Sequence, residues 1–189
     1  MAKKSFLESF LNTAVKSADR AIKAAAKERE RQRKAEQAKN LYEQLKKQTN
    51  LKFESENRTR ILNDSIKLIE GSGNIQTIIS RKNIAMEHLD WFIRNEVNGV
   101  RLTPSASYSK KQLLLIFNDN LYKQIETRIL KQLDKVNDLK SIQAKQNAIN
   151  KALGVIYNNS IYFERTASNY SQVDFKLGKL KEKLKPIGN

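Results

Sequence analysis

Lys16, Arg20, Lys23, Lys27, Arg31 and Lys34 follow one another at intervals of 4, 3, 4, 4 and 3 residues. At about 100° per residue, an α-helix gathers them into an arc of roughly 80°. A row of ammonium and guanidinium groups on a rigid rod suits one kind of chemistry, the neutralisation of spaced phosphates. Like charges at i,i+4, such as Lys16/Arg20 and Lys27/Arg31, destabilise an isolated helix slightly, and a bound anion relieves that repulsion. The competing interpretation is a merely solvated face. Asp19 and Glu30 border the row, and Glu30 with Lys34 makes an i,i+4 pair. A basic-zipper arrangement fits less well, because its basic region precedes a strong leucine zipper.

The opposite side of the same helix carries Leu7, Leu11, Ala14, Ala18, Ala21 and Ala25 at 4-3-4-3-4 spacing, a heptad seam. Alanine lets a second helix approach closely but buries little apolar area, so this is a weak zipper. Glu28 and Gln32 end it, and Leu41, Tyr42 and Leu45 resume an apolar stripe. The seam is expected to face a helix, in this chain or in another. The stretch "MAKKSFLESFLNTAVKSA" also has the look of an interfacial helix, with Phe6, Leu7, Phe10, Leu11 and Val15 opposite polar residues. Packing on a partner helix explains it better, because small residues dominate after Leu11.

Other constellations carry less. Tyr157, Tyr162, Phe163, Arg165 and Tyr170 form an aromatic-basic cluster of the kind that stacks unpaired bases, but their helical spacing also suits a bundle core and its rim. His88 is the only histidine, so one chain offers no multi-histidine metal site. Glu87/Asp90 and Asp134/Asp138 are carboxylate pairs with no visible third ligand. "GSG" at 71–73 lacks the strand–loop–helix context and the lysine of a phosphate-cradling loop. With no cysteine and no serine elbow, the sequence predicts neither an enzyme nor a metal or cofactor.

The elements that hold these residues follow from composition. The 189 residues contain only 6 Gly and 2 Pro, so turns are few and elements long, and long elements are helices. The spacing predicts helices over about residues 5–49, 54–70, 75–97, 109–137, 141 onward through Gly154, and 171–184. "TNLKFESEN" at 49–57 reads as a break, and Asn98–Ser109, with Pro104, as the main loop. Gly71 suits a left-handed position after a helix, with Ser72 or Asn74 capping the next. Ser109 with Gln112, and Ser171 with Asp174, fit capping boxes. "VIYNNSIYF" is compatible with helix or strand. The expectation is an all-α protein: a long basic helix over 1–50, free to project, and a helical bundle over 51–189.

Ile61–Arg81, "ILNDSIKLIEGSGNIQTIISR", resembles a helical hairpin in uncharacterised proteins of phages and mobile genetic elements. The resemblance implies a bacterial or phage setting and no particular chemistry.

The formal charge is +16, from 36 Lys+Arg against 20 Asp+Glu. It is distributed as +7 over 1–50, zero over 51–100, +5 over 101–150 and +4 over 151–189. Electrostatic function therefore belongs to the first helix and the C-terminal half. The expected partner is DNA or RNA, bound without sequence specificity, or an acidic protein, with self-association through the first helix. A membrane surface ranks last. The longest bulky apolar run, "LLLIF" at 113–117, is far too short to span a bilayer, and a cytoplasmic location is expected.

Overall fold

Helix formers without a Gly or Pro run from Ala2 to Glu70, and the chain responds with one helix, α1 (Ala2–Gly71). It is followed by α2 (Ile75–Val97), α3 (Lys110–Asp138), α4 (Ile142–Ser160) and α5 (Tyr170–Leu184). This computed structural model describes the backbone of residues 2–97 and 109–185, and the side chains of residues 8–95 and 109–185. No strand occurs among the described residues, so the protein is all-α. The predicted loop around Pro104 lies outside the described residues apart from Ser109.

The break expected at 49–57 does not form. Thr49 and its neighbours favour turns but do not forbid a helix. Thr49 Oγ1 instead donates to the Leu45 carbonyl at 2.9 Å, and Glu54 pairs with Arg58 one turn on. Polar residues alone do not stop a helix when neither Gly nor Pro is present.

The chain divides into two units, Met1–Lys52 and Phe53–Asn189. In the first, every described side chain from Glu8 to Asn50 is exposed. The second is a bundle with α3 in the middle, packed against α2, α4 and α5. Its core is Leu62, Ile66 and Ile69 of α1, Ile75, Ile78, Ala85, Leu89 and Phe92 of α2, and a row from Leu113 to Val136 on α3. Ile149, Ala152 and Ile156 of α4 and Val173, Leu177, Leu180 and Leu184 of α5 close it.

The turns are built by side chains. α1 ends at Gly71, whose φ is not left-handed, contrary to expectation, and Ser72 N–H closes the last turn on the Leu68 carbonyl at 3.0 Å. Asn74 caps α2, its Oδ1 accepting from Gln76 N–H at 2.9 Å. Ser109 and Gln112 form the full reciprocal capping box on α3. Ser141 Oγ accepts from Ala144 N–H at 3.1 Å at the start of α4. The box expected at Ser171 and Asp174 is absent. α5 starts earlier, at Tyr170, because Asn169 occupies the N-cap with its side chain turned onto α3.

That turn belongs to a polar pin across the bundle. Asn118 is fully buried in the α3 row. Its Nδ2 donates to the Glu164 carbonyl at 3.1 Å and to Asn169 Oδ1 at 3.2 Å, and its Oδ1 accepts from Glu164 N–H at 3.0 Å. Asn169 Nδ2 donates to Asp119 Oδ1 at 2.7 Å, and the Glu164 carboxylate pairs with Lys82 of α2. The connection between α4 and α5 is thus fastened to α3 by groups that all find partners within the fold.

Candidate functional site

Lys16, Arg20, Lys23, Lys27, Arg31 and Lys34 lie on one uninterrupted stretch of α1 and all six side chains are exposed. Helical continuity places them in the predicted narrow arc. Lys34 Nζ pairs with Glu30 at 2.7 Å and Arg31 with Glu28 at 3.8 Å. Both pairs are open to water, where such contacts hold a cation weakly. Lys16, Arg20, Lys23 and Lys27 take part in no ion pair among the described residues. Beyond Lys34 the same arc continues with Ala38, Leu41 and Leu45, so the cationic row has a defined end.

On the opposite side, Leu11, Ala14, Ala18, Ala21 and Ala25 are exposed, while the Leu7 side chain lies outside the described residues. Phe10 is 66 %, Val15 59 % and Ile22 66 % exposed, which adds apolar area to a seam that no helix covers among the described residues. No helix among the described residues is long and apolar enough to cross a membrane.

The aromatic-basic cluster is split. "VIYNNSIYF" is helical to Ser160 and then turns. Phe163 enters the core and Tyr162 is half-buried. Tyr157 stays 57 % exposed with Lys181 Nζ 4.8 Å from its ring centre. The Arg165 guanidinium stands 5.9 Å from the Tyr170 ring centre. Ile161, Arg165, Tyr170, Asp174 and Lys181 line a cleft of about 170 Å³. Helical spacing in the sequence brings out Tyr157, Arg165 and Tyr170 but not Lys181 and Asp174, because only the packing of α4 on α5 brings them together.

His88 is half-buried, at the rim of the bundle. Its Nδ1 lies 3.3 Å from Arg58 Nη1, and Arg58 is held by Glu54 at 2.9 Å and stands 4.8 Å from the Trp91 ring centre. Because guanidinium only donates, Nδ1 is the acceptor and the imidazole is neutral. Burial, then the Arg58 cation, pushes its pKa down, against a smaller upward pull from Glu87. The folded state therefore resists protonation more than the unfolded chain does. Stability is expected to fall as pH drops through about 6.5 and to level off below the folded value. Urea unfolding at pH 7.5 and 5.5 checks this, and His88→Gln, which keeps an acceptor for Arg58, is expected to lessen the dependence. Equal pH dependence in both proteins would refute it.

No three His, Asp or Glu side chains converge as metal ligands among the described residues. The chain matches no protein-family model, and none of the curated proteins or solved structures compared with it is significantly similar.

Proposed function

We propose that this chain is a non-enzymatic, all-helical accessory protein that binds DNA or RNA electrostatically, with little dependence on base sequence. The cytoplasm of a bacterium, or of a cell carrying its mobile elements, is the setting that goes with this reading. One observation carries it: six cations in a single arc of an exposed helix, four of them outside any ion pair among the described residues. A phosphate backbone meets such a row without requiring the protein to refold or to break strong internal contacts. The test is anisotropy of a labelled mixed-sequence duplex at about 50 mM salt, where non-specific cationic contacts are strong. Saturable binding supports the reading, and an unchanged signal at tens of micromolar protein overturns it.

A second reading is favoured by the exposed apolar side of the same helix. There the chain is an assembly or adaptor protein, and Leu11, Ala14, Ala18, Ala21 and Ala25 dock a helix of a partner or of a second copy. Ala14→Glu with Ala18→Glu places charge where helices must approach closely. The double variant is expected to lower the mass seen by light scattering or to abolish partner capture. Unchanged assembly size and unchanged stability would remove the seam from consideration.

A further inference from the structure

We propose that the cleft between the end of α4 and α5 is a second contact, one that takes an unpaired base of a single strand. The proposal rests on the nucleic-acid reading above but uses none of the α1 cations.

Size comes first. At about 170 Å³ the cleft is comparable to a protein cavity of roughly 150 Å³ that accepts one benzene ring, so it suits a single base ring and not a folded segment. Chemistry comes second. Arg165 already stands over Tyr170, and a guanidinium plane with an aromatic beneath it is a platform on which a base stacks. Lys181, over Tyr157, adds a cation for the flanking phosphates. Asp174 lines the cleft as well. Its carboxylate repels a phosphate but accepts from an exocyclic amine, so the base enters and the phosphates stay at the rim.

The third observation is independent. Gly154 and Gly178 sit inside α4 and α5, where glycine is the poorest helix former after proline. A Cβ added at either would meet nothing within 4 Å, and neither has a left-handed φ. Nothing in the folded chain calls for glycine at these two positions. Gly178 shares a helix face with Asp174 and Lys181, and Gly154 shares one with Tyr157. Neither glycine lines the cleft itself, but bare backbone on these two faces lets a sugar–phosphate chain approach closely.

Anisotropy with a 20-nucleotide oligo-dC and a 20-bp duplex tests this on the full chain. Gly154→Ala with Gly178→Ala is expected to weaken single-strand binding about tenfold, in line with losing one stacked base, and to leave duplex binding unchanged. Its melting temperature is expected to be equal or higher, which separates the effect from misfolding. Arg165→Lys, which keeps charge but loses the planar stack, is expected to show the same selective loss. If wild type binds both probes and neither variant changes single-strand affinity, the cleft proposal is wrong while the nucleic-acid reading stands. A cleft that seats a partner helix gives that same result. If wild type binds neither probe, the nucleic-acid reading fails and the cleft proposal falls with it.

Discussion

Changing Lys16, Arg20, Lys23, Lys27, Arg31 and Lys34 together to Gln is expected to abolish most of the salt dependence of duplex binding. If the wild-type row meets about four to six phosphates, log affinity falls against log salt with a slope of roughly −3 to −5. Raising salt from about 50 to 200 mM then costs wild type roughly 60- to 1,000-fold in affinity. The variant should bind weakly at both ends and respond to salt with a slope nearer zero. The loss should be uniform across sequences, because phosphate contacts carry no base information. A four-site variant at Lys16, Arg20, Lys23 and Lys27 should keep most of the effect, since Glu28 and Glu30 already compete for Arg31 and Lys34. The helix itself should survive. All six side chains are exposed, Gln is a good helix former, and removing like charges at i,i+4 relieves repulsion. Unchanged affinity and slope in the six-site variant, with helical content intact, would show that the row is only a solvated face.

The placement of the row and the seam on opposite sides of α1 is legible because it depends only on helical continuity, and residues 2–70 contain no Gly or Pro to interrupt it. The polar stretch at 49–57 reads as a break because its residues favour turns, yet none of them forbids a helix. The buried face of α2 is harder to read: Ala85 and Phe92 are buried, while Ile93 is exposed. The true stripe runs 75, 78, 82, 85, 89, 92, and its third member is Lys82. A lysine in that row hides the period from any count of apolar residues. Its ammonium stands 5.2 Å from the Phe117 ring centre, and its charge is met by Glu164. Glu164 is 82 residues away in the chain, so no local pattern announces the pair. The cleft is hidden for the same reason: Ile161 and Lys181 line one space only when α5 has docked.

Asn118→Asp is expected to be among the most damaging single changes in the bundle, although it alters one atom. The Nδ2 position faces two acceptors, the Glu164 carbonyl at 3.1 Å and Asn169 Oδ1 at 3.2 Å. An oxygen there faces oxygens, inside a fully buried site. Turning the Asn169 amide over does not rescue it, because Asn169 Nδ2 already serves the Leu115 carbonyl and Asp119 Oδ1. Lys82, the cation of the cluster, is engaged by Glu164, and Asp119 adds a further negative charge. The expected cost near pH 7 is about 3–5 kcal/mol, the scale of an uncompensated buried charge. Asn118→Ala, which leaves the same backbone groups unpaired without adding charge, is expected to cost about 2–3 kcal/mol. The introduced carboxyl should have its folded pKa raised, by burial and by the oxygens around it. Stability of Asn118→Asp is then greatest at low pH and is lost as pH rises from the unfolded value of about 3.9 toward the folded one. Once protonated, the group donates one hydrogen bond and recovers part of the loss. Urea midpoints at pH 5 and pH 7.5 for wild type and both variants decide the matter. If Asn118→Asp were as stable as wild type at pH 7.5, the pin would not be what holds the 161–169 connection to α3.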